Sequence, residues 1–166
     1  MKEIKPQQMS RNVFDAIGKD WMLVAAEADG RANAMTASWG GMGVLWNKCV
    51  AFVFIRPQRF TKTLIDKADT LSLSFFADDE RAMLTYMGRT SGRDEDKLAQ
   101  QNLTYSTVDG APVFDRAKMT LVCRKLYRQT LTKDGFFDQS IFTQNYPNGD
   151  LHDVYAVEIE KVLIGE

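Results

Sequence analysis

Six consecutive apolar residues, Val50 to Ile55, stand between Lys48 and the pair Arg56-Pro57. So short a run bounded by charge and proline reads as a strand buried on both sides. Other segments carry the same signature. Trp21 to Glu27 is a compact apolar run ending at Asp29-Gly30, a turn dipeptide. Leu71, Leu73 and Phe75 alternate with Ser72 and Ser74, and Tyr155, Val157 and Ile159 alternate with Glu158 and Glu160. Thr120 to Leu131 is long and rich in β-formers, and its alternation slips near Arg124-Lys125, as a bulge would make it.

Helical spacing is scarcer. Phe60, Leu64, Ile65 and Ala68 mark one helix, and Met83, Tyr86 and Met87 a second. A third is expected to begin near Ser91, where Ser91-Gly92-Arg93-Asp94 resembles a capping box. Strands separated by short, irregularly placed helices argue against a doubly wound sheet. They point to a mainly β fold, a β-barrel with helical insertions. The 166 residues contain no repeat, linker or low-complexity tract, so a single domain over 1–166 is expected.

Composition removes several functions. The net charge is -1, with 21 basic and 22 acidic residues, which argues against a general nucleic-acid binder. The one histidine, His152, excludes a His-rich metal site and a two-histidine metalloprotease helix, so no metal is expected. Cys49 and Cys123 form no CxxC and read as reduced, buried apolar residues. No run approaches the length of a membrane span, and Met-Lys-Glu-Ile-Lys-Pro lacks a signal-peptide core; the cytoplasm is the expected location.

Three segments could carry chemistry. In Asn33 to Gly43, small residues, Thr36, Ser38 and three glycines surround Trp39; they suit close approach to a flat ligand, or a glycine-rich turn. Arg56-Pro57-Gln58-Arg59-Phe60-Thr61 follows a buried strand and opens a helix. Two guanidiniums and a hydroxyl at a helix N-terminus would cradle a phosphate; a solvated corner is the plainer reading. Gly88 to Lys97 offers Ser91, Arg93, Asp94 and Lys97 to a polar ring edge, or simply forms a capped surface helix. His152 sits in a turn before the last strand, where a lone histidine is ordinarily exposed. No Gly-x-Ser-x-Gly elbow accompanies it.

Taken together, Met35-Thr36-Ala37-Ser38-Trp39-Gly40-Gly41, the stretch from Leu45 to Thr61, and Ser91-Gly92-Arg93-Asp94 with Lys97 resemble the FMN-binding split-barrel family of flavin reductase-like proteins, flavoredoxins included. The resemblance runs from about Trp21 to Ile164 and implies a split β-barrel that works as a homodimer holding FMN near its interface. Met35, Thr36, Ala37, Ser38 and Trp39 would line the isoalloxazine. Arg56, Arg59 and Thr61 would hold the phosphate and ribityl chain. Ser91, Arg93, Asp94 and Lys97 would approach the polar edge or phosphate. His152 is the candidate catalytic side chain, near the flavin of its own subunit or across the dimer.

The implied activity is transfer of electrons from NAD(P)H through FMN to an acceptor. An electron carrier reduced by a protein partner, and a non-catalytic FMN-binding protein, are the alternatives. Three positions depart from the family pattern: Met87 before Gly88 where a cysteine is expected, Cys49 in place of a proline, and Asp153 after His152 in place of an arginine. The last would weaken binding of an anionic co-substrate.

Overall fold

The computed structural model describes residues 1–165. Its strands are β1 (Lys2–Ile4), β2 (Met22–Ala28), β3 (Arg31–Ala37), β4 (Gly40–Leu45), β5 (Lys48–Ile55), β6 (Thr70–Phe75), β7 (Tyr105–Val108), β8 (Ala111–Phe114), β9 (Met119–Thr130) and β10 (Asp153–Ile164). Its α-helices are α1 (Phe60–Lys67), α2 (Arg81–Arg89), α3 (Lys97–Gln100) and α4 (Gln139–Asn145).

The main sheet is antiparallel and runs β3-β2-β6-β9-β10-β5-β4, with β1 added to the far end of β10. Its two outermost strands, β3 and β4, are consecutive in the chain and separated only by Ser38 and Trp39. A sheet can bring its opposite margins within two residues of each other only by rolling up, which makes this a barrel. β3 and β4 do not pair, so the barrel is split along that seam. Gly40 makes the crossing. It holds φ +156°, and a Cβ there would lie 2.7 Å from the carbonyl oxygen of Phe52.

The interior is filled by alternate residues of each strand: Met22, Val24 and Ala26 from β2, Ala51, Val53 and Ile55 from β5, Leu71, Leu73 and Phe75 from β6, Tyr155, Val157 and Ile159 from β10. Helix α1 adds Leu64 and Ile65. A second layer covers the outer face of β2 and β3. There Leu23, Ala25 and Ala34 meet Met83, Leu84 and Met87 of α2 and Leu98 of α3. This double burial explains the unbroken apolar run of β2. The β7–β8 hairpin covers β6 and β9 from outside, so Ser72 and Ser74 are fully buried rather than solvent-facing. Each hydroxyl is satisfied: Ser72 donates to the carbonyl of Pro112, and Ser74 pairs with Thr120 at 3.0 Å.

Three expectations are corrected. β5 is covered fully only on its inner face, and on its outer face Phe52 and Phe54 remain half-buried. The third helix starts at Lys97, not near Ser91. Its cap is Asp96, whose side chain accepts from the Ala99 amide, while Ser91 makes a tight turn by accepting from the Arg93 amide. Cys123 is buried as expected, but Cys49 is only half-buried; both are free thiols. The bulge in β9 is real and leaves Leu126 without a partner on β10. No helix among the described residues is long and apolar enough to cross a membrane.

Candidate functional site

The seam between β3 and β4 opens into a cleft of about 230 Å3 lined by Met35, Thr36, Ala37, Ser38, Trp39, Phe54, Arg56, Arg59 and His152. A neighbouring cleft of about 180 Å3 shares Met35 and Arg59 with it and adds Asn33, Gln58, Phe60, Thr61, Arg89, Thr90, Ser91, Gly92 and Lys97. Together they fall within the roughly 300–1,000 Å3 of a small-molecule site.

The second cleft is cationic. Arg59 donates to the carbonyl of Gly88 at 2.7 Å, and Lys97 to that of Met87 at 2.8 Å. These are carbonyls of the last turn of α2, the negative end of its dipole, which holds cations without neutralising them. Neither Arg59 nor Lys97 has a carboxylate within salt-bridge distance among the described residues. Lys97 is only 2% exposed. Burial, helped by the charge of Arg59, pushes its pKa down to about 8. Burial also lowers that of Arg59. A buried ammonium with no carboxylate in salt-bridge distance is costly, so the arrangement suits an anion. Phe60 and Thr61, the first residues of α1, add the positive end of a second helix dipole. Asn33 fixes the Thr61 hydroxyl by donating to it at 2.8 Å. Gly92 is obligatory there, since a Cβ would fall 2.5 Å from Oδ1 of Asn33 and 2.6 Å from the Phe60 ring.

The first cleft is flatter and aromatic. Trp39 and Phe54 flank His152, with ring centroids 5.3 and 6.4 Å away. Contrary to the exposure expected of a loop histidine, His152 is 7% exposed. It lines the same cleft as Trp39 of its own chain. Burial first, and the Arg56 charge second, hold its pKa near 4, so the imidazole is neutral at pH 7. Thr36 turns its hydroxyl to the carbonyl of Leu84, tying β3 to α2.

Thus Met35 to Trp39, Arg56, Arg59, Thr61, Ser91, Lys97 and His152 all converge. Arg56 does not act as the expected twin of Arg59. Its guanidinium is held by Asp150, donates to the carbonyl of Asn145 at 2.8 Å, and lies 5.1 Å from the Tyr146 ring. It braces the loop that carries His152. Arg93 is exposed and lines neither cleft; it donates to the carbonyl of Gln58 and sits over Phe60. Asp94 is exposed and also lines neither. Asp153 is engaged by Lys62 at 2.9 Å and by Thr130, which donates to it at 2.6 Å.

Sequence reasoning missed Phe54, Asn33, Arg89 and Tyr146. Phe54 lay inside an apolar run that does not reveal which face is covered. Arg89 stood in a segment already singled out. Nothing in the sequence marked Tyr146.

A flat aromatic slot joined to an uncompensated cationic pocket fits a planar ring bearing a phosphate. Residues 14–166 match the family model described as the flavin reductase like domain. Among solved structures, an FMN-binding protein from Thermus thermophilus superposes with a TM-score of 0.71 at 22% identity, covering 100% of this chain and 83% of that one. Flavoredoxin of Desulfovibrio vulgaris (Miyazaki F) gives 0.70 at 20% identity, covering 98% and 78%. The flavin reductase PheA2 gives 0.62 at 17% identity, covering 92% and 85%. At these identities the likeness establishes the shared split-barrel fold. The curated proteins contain no match.

Proposed function

The chain belongs to the flavin reductase-like family, and from that premise we propose that it binds FMN across the joined clefts and acts as an oxidoreductase, taking electrons from NAD(P)H and passing them to an acceptor. The observation that carries the reading is the pairing of Arg59 with Lys97, two buried or half-buried cations without a carboxylate partner, beside a neutral aromatic slot. The names of the relatives, an FMN-binding protein and a flavoredoxin, support FMN as the flavin.

Arg59, Lys97, Thr61 and Ser91 would hold the phosphate, with Arg89 at the rim. Met35 to Trp39, Phe54 and His152 would bound the ring. Bound FMN supplies the electron chemistry that no side chain here offers. The residues' own contribution is placement and field: cations favour an anionic ligand, and the apolar walls exclude water. A neutral His152, with Nδ1 taken up by the Tyr146 hydroxyl, presents Nε2 rather than a charge. The uncovered margin of β4, with Val44 and Trp46 exposed, supports assembly as a homodimer through that edge.

The test is a titration with FMN and with riboflavin. FMN should bind more tightly by about tenfold or more, because charge-assisted bonds to the phosphate contribute about 1.5–3 kcal/mol. Equal affinity, or no binding, would refute the phosphate assignment. Anaerobic bleaching of the bound flavin by NADH or NADPH tests the donor. Bleaching by a low-potential protein donor alone would make the chain an electron carrier.

A further inference from the structure

Beyond the flavin cleft, a third cavity of about 300 Å3 opens beneath α4, lined by Trp39, Phe54, Leu131, Ile141, Asn145 and Tyr146. It shares Trp39 and Phe54 with the flavin-sized slot, so the two cavities are separated by little more than those two rings. His152 stands at the partition, within 5.3 to 6.4 Å of the ring centroids of Trp39, Tyr146 and Phe54. The chemistry of the two cavities is opposite. The slot continues into the cationic pocket. The cavity under α4 has no carboxylate, ammonium or guanidinium in its lining.

Its polar groups are already engaged. The Asn145 amide donates to the carbonyl of Ile141 at 2.9 Å, its backbone carbonyl accepts from Arg56, and the Tyr146 hydroxyl contacts His152. The cavity wall is also held from behind, where Phe136 and Phe142 pack on Tyr146 at centroid distances of 5.9 and 6.3 Å. An anion entering it would lose water and gain no counter-charge, while a flat apolar molecule would pack against the aromatic and aliphatic lining.

We propose that the cavity under α4 binds an uncharged aromatic molecule of one or two fused rings, beside the flavin slot. The proposal goes beyond the flavin reading by assigning a ligand class to the cavity beside that slot. At about 300 Å3 the cavity has room for a bicyclic ring system.

Calorimetric titration of the FMN-loaded and flavin-free protein with 2-naphthol and with 2-naphthoate tests it. The two probes share their rings and differ in charge. 2-Naphthol should bind, and 2-naphthoate should bind about tenfold more weakly or worse. Ile141 is half exposed, so Ile141→Glu should fold, weaken 2-naphthol by about tenfold, and leave FMN affinity unchanged. Ile141→Trp, which fills the cavity without adding charge, should do the same. Equal binding of both naphthalenes, or 2-naphthol affinity indifferent to both variants, would overturn the proposal. So would dissociation of a dimer by Ile141→Glu, because a second copy would then occupy the cavity. A protein that fails to take FMN but still binds 2-naphthol in an Ile141-dependent way would refute the flavin reading and leave the cavity assignment standing.

Discussion

The hydroxyl oxygen of Tyr146 lies 2.7 Å from Nδ1 of His152, six residues along the same loop. The contact fixes the imidazole plane and commits one ring nitrogen, leaving Nε2 as the ring's remaining polar atom. Arg56 stabilises the pair from the other side, since it sits against the Tyr146 ring and is tied to Asp150.

His152 therefore governs stability in mild acid. Its pKa falls from 6.5 to about 4 on folding. Between those values the unfolded chain binds a proton that the native chain does not, so stability should decline as the pH drops from about 6.5 to about 4, below which the His152 contribution levels off. Thermal melts of the flavin-free protein across that range check this, with His152→Gln removing the slope. Arg56→Ala should move the imidazole titration, read by NMR, upward, since it removes the cation that adds to burial in lowering it.

Lys97 should make FMN affinity depend on pH in the alkaline range. The free protein's Lys97 titrates near 8, and only its charged form attracts phosphate. Affinity should hold below pH 8 and fall by up to about tenfold per unit above it. Fluorescence titrations at pH 7 to 9.5 measure this. Lys97→Met should bind more weakly and lose the alkaline fall; an unchanged profile in the variant would remove Lys97 from the phosphate site.

Arg59 and Arg56 should separate in effect. Arg59→Ala should cost about 1.5–3 kcal/mol in FMN binding and little in riboflavin binding, since it removes a cation from the pocket. Arg56→Ala should weaken both flavins similarly and lower the melting temperature, because Arg56 braces Asp150 and the carbonyl of Asn145. Paired titrations of both variants with both flavins distinguish the roles.

A charged network behind the site, Lys62 with Asp66 at 2.6 Å and Asp153 at 2.9 Å, should contribute to acid resistance. Both carboxyls are held below their ordinary range despite burial, by hydrogen bonds that include Lys62. Their stabilisation is present above about pH 4 and lost as the pH falls through the native values. Lys62→Met should destabilise by about 1–3 kcal/mol, less than a fully buried pair, because Asp66 keeps part of its side chain in water. Urea denaturation at pH 7 and pH 3 measures it, and the variant's deficit should shrink at the lower pH.

Much of this architecture was legible in the residues. β2, β6, β10 and α1 follow directly from the apolar spacing, because each has at least one continuously buried face to enforce it. What the spacing could not show was the second layer. Ser72 and Ser74 look like a wet face until the β7–β8 hairpin is placed over them. The start of α3 was misread because Ser91 and Asp96 both offer capping oxygens, and only the fold decides between them. At the site, the glycine-rich and arginine-rich segments were visible as local chemistry. Tyr146 and Phe54 were not, because their roles come from neighbours remote in sequence.

The seam at Ser38 and Trp39 has a mechanical consequence. The barrel is a hoop whose clasp is also its receptor, since the residues that bring its two margins together are those a ligand would touch. A molecule lodged there would rivet the hoop shut while being held by it. Grip on cargo and rigidity of the scaffold are thus one quantity at this place, and a substitution that loosens either will loosen both.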